Sequence, residues 1–291
     1  MRSFRYVLVD VFTDTPLAGN QLGVFTDARD LDDETMQALA LELGFSESVF
    51  VLPPREGGTV RIRIFTPTHE LPFAGHPTLG TAFVLGAPLQ LGTIAIETGR
   101  GIVPVELERD PSGRIVFGRM TQPVPTVAPF ERADELCAAL GVAGSALPVE
   151  VYDNGIQHVY VALESETEVA AVRPDWVALA AGELVASLVG VNVFAGSGSC
   201  WKTRMFSPLD AVGEDAATGS AAGPLACHLA RHGRASWGEQ IEIAQGAEIG
   251  RPSMLYATAW GSGAWGDGET IERVEVGGSA VVVARGEFRV P

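Results

Sequence analysis

The chain has 291 residues, 46% of them hydrophobic and 19% charged, a balance that fills apolar cores and excludes an intrinsically disordered tail. At about 150 residues per domain the length points to two domains. With 20 basic against 36 acidic residues the net charge is −16, which speaks against nucleic acid and anionic membrane surfaces as partners.

The opening run, MRSFRYVLVDVFTDTP, is interrupted by Asp10 and followed by no small-residue cleavage site, so it predicts a strand and no signal peptide. Further strands are predicted at Ser48 (SVFVL), Thr59 (TVRIRIF) and Gly101 (GIVPVEL), and many more towards the C-terminus, punctuated by 34 Gly and 18 Pro. Between them, Asp32 or Asp33 can cap a helix whose apolar face is Met36, Leu39, Ala40 and Leu43, with Gly44 as its stop. Amphipathic pieces follow at Ala133 to Leu140 and Pro174 to Val185.

Two other helices are small or apolar on every side. One runs from His76 (HPTLGTAFVL), with Pro77 in the favoured first position and Gly86 as its stop. The other runs from Ala217 to Gly233 (ATGSAAGPLACHLARHG). Helices of this kind are expected to be buried, with strands closing tightly around them. The segment before each repeats, RIRIFTP from Arg61 and KTRMFSP from Lys202, so the chain reads as two copies of one folding unit, and a small ligand would bind in a cleft between them.

Several chemistries are set aside. Lys202 is the only lysine and lies in an alternating run that suggests solvent exposure, so Schiff-base chemistry has no good nucleophile. Cys137, Cys200 and Cys227 have neither metal-knuckle nor redox spacing and fit a reducing cytoplasm. No stretch approaches the roughly 18 apolar residues that span a bilayer. GSGAWG at Gly261 leads into a strand and not the helix of a dinucleotide fold, and in GSGSCWKT at Gly196 Trp201 blocks a phosphate loop. His228 and His232 share a helix face but have no evident third ligand, and read as surface histidines near a helix end.

Three polar positions remain. Glu47 is a lone carboxylate among Phe45, Val49, Phe50 and Val51, either an outward residue at a strand start or a base strengthened by desolvation. Asp215 is either an N-cap or a site residue before a buried helix. His76 opens the other buried helix as a cap, a core imidazole or a site residue. Both helix starts, AGHP from Ala74 and ATGS from Ala217, offer backbone N–H groups and a favourable dipole to an anion such as a carboxylate.

The strings PLAGNQLGVF, LGFSESVFVL, RIRIFTPTHELPFAGHPTLGTA, RMFSP, EDAATGSAAGPLACHLARHG and GAEIGRPSM, in this order along nearly the whole chain, resemble the PhzF family of phenazine-biosynthesis isomerases. The resemblance implies an α+β, diaminopimelate epimerase-like fold: two similar barrel-like rolls of mostly antiparallel strands, each around a central helix. It places the domains at 1–119 plus 279–291 and at 120–278, with the active site in the cleft between them. It implies a homodimer with no metal or organic cofactor, acting on a small carboxylate. The reaction would be isomerisation of trans-2,3-dihydro-3-hydroxyanthranilate to an aminoketone.

Carried over by position, Glu47 would move the proton from C3 to C1. His76 and Asp215 would hold polar groups and assist proton transfer, and Gly75, Gly219 and Ser220 would grip the carboxylate while Asn20 lines the cleft. Ala74 and Ala216 stand where related epimerases carry facing cysteines, which disfavours two-thiol chemistry. Gln21 stands where the family is expected to have proline, a departure that bears on the loop beside Asn20. The alternatives are isomerisation of another small cyclic carboxylate, or a ligand-binding relative without turnover.

Overall fold

A computed structural model describes residues 1–180, 184, 190–208, 213–264 and 266–290. The chain divides into two units, Met1–Thr121 with Gly277–Pro291, and Gln122–Val276.

The first unit contains β1 (Arg2–Val11), β2 (Asn20–Phe25), α1 (Asp33–Leu43), β3 (Glu47–Leu52), β4 (Val60–Phe65), β5 (Glu70–Leu71), α2 (Gly75–Leu89), β6 (Thr93–Thr98), β7 (Gly101–Arg109) and β8 (Ile115–Gln122). Helix α1 forms for local reasons. Asp32 accepts the N–H of Thr35 at 2.9 Å, and Gly44 adopts φ 67, the left-handed conformation that a helix stop requires and that a side chain would oppose. Its buried face, Met36, Leu39 and Ala40, packs on Phe25, Phe50 and Phe65, where Phe25 stacks on Phe50 at 4.7 Å and Phe65 meets Phe50 edge-on at 5.4 Å.

The second unit contains β9 (Thr126–Pro129), α3 (Ala133–Leu140), β10 (Glu150–Asp153), β11 (Gln157–Ala162), α4 (Glu166–Ala171), α5 (Trp176–Ala180), β12 (Gly190–Ser197), β13 (Cys200–Ser207), β14 (Gly213–Asp215), α6 (Gly219–Arg231), β15 (Gln240–Gln245), β16 (Ser253–Ala264) and β17 (Asp267–Gly278). The chain then returns to the first unit as β18 (Ala280–Val290), which pairs antiparallel with β1 from Arg2↔Val290 to Val11↔Ala280. The piece expected from Pro174 to Val185 is described as helix only over α5, and most of its remainder lies outside the described residues.

The two units repeat one ladder. In the first, β1–β2 is antiparallel, β2–β3 parallel, β3–β4 and β4–β5 antiparallel, β4–β6 parallel and β6–β7 antiparallel. In the second, β10–β11, β11–β12, β12–β13, β13–β14, β13–β15 and β15–β16 follow the same alternation. The repeated segments noticed in the sequence are β4 and β13, and the small-residue helices α2 and α6 occupy the same place in each ladder. Each unit is thus an α+β roll of mostly antiparallel strands closed on a buried helix. Every residue of α6 is buried. A Cβ at Gly80 of α2 would lie 2.7 Å from Leu22 and Val11, and one at Gly223 of α6 would lie 2.5 Å from Val274, so only glycine admits the strands.

Three local expectations are corrected. Helix α2 does not stop at Gly86 but runs to Leu89, with Gln90 as its cap at φ 54, and Pro77 is its third residue. Gly86 serves packing instead, since a Cβ there would meet Leu107 at 2.3 Å. Lys202 does not project into solvent: its ammonium lies 2.7 Å from Glu248 in a mostly buried ion pair, because the 3₁₀ turn Ala247–Ile249 after β15 supplies that carboxylate. The expectation for GSGAWG, by contrast, stands: it falls where β16 ends and leads into strand β17.

Candidate functional site

In the first unit the chain crossing through α1 sets β3 parallel to β2, with Leu22 opposite Glu47. That register puts Asn20, the first residue of β2, beside the start of β3. Asn20 accepts from Ser46 Oγ at 3.3 Å and meets His76 Nδ1 at 3.3 Å through its amide nitrogen. The other imidazole nitrogen, His76 Nε2, lies 3.5 Å from Glu47 Oε2. Asn20, Glu47, Gly75 and His76 therefore converge, with Gly75 and His76 opening the first turn of α2.

Burial lowers His76 to a pKa of about 3 against an opposing hydrogen bond with the Gln21 backbone, so the imidazole is neutral at physiological pH. Its contact with Glu47 is then no ion pair. The Glu47 side chain is only 16% exposed, which removes the outward-facing reading of a residue at a strand start. Gln21 continues β2 opposite Asp10 of β1, so its difference from the expected proline leaves Asn20 in contact with His76.

In the second unit β14 delivers Asp215, buried, to the approach of α6. Asp215 is not the helix cap: that position is Thr218, and the helix begins at Gly219. Asp215 Oδ2 accepts from Thr218 Oγ1 at 2.7 Å. Gln245 of β15 donates to the Asp215 carbonyl at 3.0 Å and to Thr218 Oγ1 at 2.9 Å, and accepts the Thr218 N–H at 3.0 Å. Gly219 and Ser220 follow as the first two residues of α6, at the positive dipole end of the helix. None of Cys137, Cys200 and Cys227 stands at either helix start, where Ala74 and Ala216 are found.

Sequence reasoning missed the residues that brace this turn. Pro224 has no N–H, so the carbonyl of Ser220, four residues earlier, lacks its helical donor. Asn154, just beyond β10, supplies one at 2.9 Å. Gln122 donates to the Gly219 carbonyl and Tyr160 of β11 to that of Ala221, both at 2.8 Å. His158 Nε2 meets Ser220 Oγ at 3.0 Å. The one local signal was Pro224 inside a helix beginning near Ser220.

His228 and His232 are also corrected: they are not surface residues. With Tyr152 and Arg231 they surround one oxygen of Glu150 at 2.8–3.1 Å, and Arg231 also pairs with Glu269. Burial would raise Glu150, but hydrogen bonds from both histidines and the charge of Arg231 outweigh it and hold the carboxyl well below its usual range. Ligand atoms of Glu150, His228 and His232 lie within 4.8 Å of one another, a spacing open to a metal ion. The donor set does not fit one, because the guanidinium of Arg231 occupies the same carboxylate oxygen with a permanent positive charge.

The comparisons with known proteins agree with one another. The model of the phenazine biosynthesis-like protein family (PhzC-PhzF) matches residues 9–286. The chain is 52% identical over 282 residues to a trans-2,3-dihydro-3-hydroxyanthranilate isomerase of Pseudomonas aeruginosa, covering 97% of this chain and 98% of that protein. It is 50% identical, with the same coverage, to the enzyme of that name from Pseudomonas fluorescens. Among solved structures it superposes on a phenazine biosynthesis protein of the PhzF family from Bacillus anthracis with a TM-score of 0.83 at 25% identity, over 100% of both chains. Similarity of this extent in sequence and in fold means that the chain belongs to the PhzF-type phenazine biosynthesis-like family.

Proposed function

We propose that this protein is an isomerase of trans-2,3-dihydro-3-hydroxyanthranilate, moving a proton from C3 to C1 of the ring to give an aminoketone without a metal or organic cofactor. The observation that carries the reading is the 52% identity, over 97% of the chain, to an enzyme of that name. The local chemistry supports it. A proton on carbon is removed slowly unless the base is positioned and partly shielded from water. Glu47 meets both conditions, and the neutral His76 beside it can accept or donate a hydrogen bond as the enol becomes the ketone.

One carboxylate that takes the proton and returns it on the same face of the ring needs no second base, in keeping with Ala74 and Ala216 where thiols would otherwise stand. Asp215 assists in holding the substrate's polar groups. Gly75, Gly219 and Ser220 receive the carboxylate at helix starts, where aligned N–H groups favour an anion without any lysine. We further infer a cytoplasmic homodimer, which sedimentation at micromolar concentration would check by returning twice the chain mass.

The test is turnover of this substrate in D₂O, followed by ultraviolet absorbance and ring-proton signals. The wild-type protein is expected to consume it with a new signal at C1, and Glu47→Gln to lose about 10²–10⁴-fold in kcat. Loss of less than tenfold in that variant would remove Glu47 as the proton carrier. No turnover by the folded wild-type protein would remove the substrate assignment.

A further inference from the structure

Behind Ser220 lies a buried imidazole that the proposed reaction does not use. His158 of β11 is fully buried, and its Nε2 is 3.0 Å from Ser220 Oγ. What this contact does depends on which ring nitrogen carries the proton. A serine hydroxyl has one proton to give and lone pairs to receive with. If Nε2 accepted, the Ser220 proton would be spent on the imidazole and the oxygen would turn lone pairs towards an incoming anion. If Nε2–H donates, the Ser220 proton remains for the anion.

The surroundings decide the tautomer. Asn192 of β12 donates from Nδ2 to the Val159 carbonyl at 3.2 Å, which fixes the orientation of its amide. The same NH₂ group stands 3.5 Å from His158 Nδ1, so that nitrogen faces a donor and must be the acceptor. Only one proton is present on the ring, because burial lowers its pKa to about 3 against the opposing charge of Asp153. It therefore sits on Nε2. The site is built to hold the ring in this place: Gly190 lies opposite His158 in the β11–β12 ladder, and a Cβ there would come within 2.6 Å of Nδ1. Meanwhile Asn154 holds the Ser220 carbonyl, so backbone and hydroxyl of the same residue are each fixed from outside the helix.

We propose that His158 is a positioning residue that donates from Nε2 to Ser220 Oγ and so turns the Ser220 hydroxyl proton towards the carboxylate of the substrate. The proposal rests on the reading of Ser220 as a carboxylate-holding residue. It accounts for a neutral, inaccessible histidine next to a helix start, and it explains how a hydroxyl is kept as a donor where an anion must bind.

The experiment is a double-mutant cycle on KM and kcat with trans-2,3-dihydro-3-hydroxyanthranilate. Ser220→Ala and His158→Leu are each expected to raise KM about tenfold with kcat little changed, the signature of lost substrate binding. The double variant is expected to be no worse than Ser220→Ala alone, and His158→Gln, whose amide can donate from nearly the same place, to recover most of the loss. A raised KM in Ser220→Ala with none in His158→Leu, or additive effects in the double variant, would overturn the role of His158. An unchanged KM in Ser220→Ala would instead overturn the reading of Ser220 and the inference with it. Should His158→Leu fail to fold, ¹⁵N spectra of the unaltered protein decide. A protonated Nε2 that does not titrate from pH 8 to pH 5 supports the proposal, and a protonated Nδ1 rejects it.

Discussion

The two units share a ladder but hold their buried helices by different means. In α2 the first turns are tied from within: Thr78 Oγ1 donates to the Ala74 carbonyl and Thr81 Oγ1 to that of Pro77, both at 2.7 Å. In α6 the same task falls to Gln122, Asn154 and Tyr160, which reach in from outside the helix. An arginine is repeated as well. Arg63 grips Glu70 across β4 and β5, and Arg204 grips Glu214 across β13 and β14, each over the face of a following phenylalanine, Phe65 or Phe206. Arg63 also pairs with the exposed Asp33, whereas Arg204 is 5% exposed and donates to the Val172 carbonyl that ends α4. A duplicated backbone plan therefore fixes where the helices start, while the polar groups that secure each start have been chosen separately.

Breaking the two arginines should separate the units most clearly. Arg204→Ala takes the guanidinium from Glu214 in a buried setting and is expected to cost about 3–5 kcal/mol, while Arg173 still donates to the Val172 carbonyl at the end of α4. Arg63→Ala, at a partly solvated site, should cost about 1 kcal/mol or less. Urea unfolding of the two variants measures both, and equal losses would mean that burial does not distinguish the copies.

Acid provides the next largest contrast. His76 in the first unit and His158 in the second are held neutral with pKa values lowered to about 3, and burial lowers His228 in the second unit too. Below about pH 6.5 the unfolded chain takes up protons that these folded rings refuse, so stability falls as pH falls. The slope is about 1.4 kcal/mol per pH unit for each histidine until the folded group titrates. Glu150 adds to the loss at lower pH: its depressed pKa contributes stability above about pH 4.5, which disappears as the pH drops towards the folded value. Denaturant titrations at pH 8, 6 and 5 should follow this slope, and His76→Gln should remove the share of one histidine. A flat profile over that range would contradict the burial of all three rings.

A smaller effect than the loss of Arg204 concerns Pro224. Asn154→Leu strands the Ser220 carbonyl and should cost about 1–3 kcal/mol. Pro224→Ala, by restoring a helical N–H, should soften that loss in the double variant. Additivity in thermal unfolding would mean that Asn154 stabilises by some route other than this carbonyl.

Features decided within a few residues were legible in the sequence. Asp32, Met36, Leu39 and Gly44 announced α1 with its cap and stop, and the two RxF-containing segments announced the repeat. Glu47 and His76 were singled out, and they stand within 3.5 Å. Misreadings came where a residue answers to a distant partner. Gly86 yields to Leu107, Lys202 to Glu248, and His228 to a carboxylate 78 residues earlier in the chain. Asp215 looked like a cap because the helix start was placed two residues too early. The brace on Ser220 lay beyond reach for the same reason, since Asn154 and His158 precede it by 66 and 62 residues and nothing local marks them as neighbours.

The pairing of β1 with β18 sets an order of events during synthesis. Residues 2–11 are made early relative to one of their ladder partners, residues 280–290, which follows only after the second unit has been made. At about 5–20 residues per second, the exposed edge of β1 waits many seconds for that strand, during which it can pair with another nascent chain. The second unit, being continuous in sequence, has no such delay. Its completion ahead of the first would return the chain to β1 at the moment that edge can be sealed, and ribosome-bound chains halted before residue 280 would be the ones most in need of a chaperone.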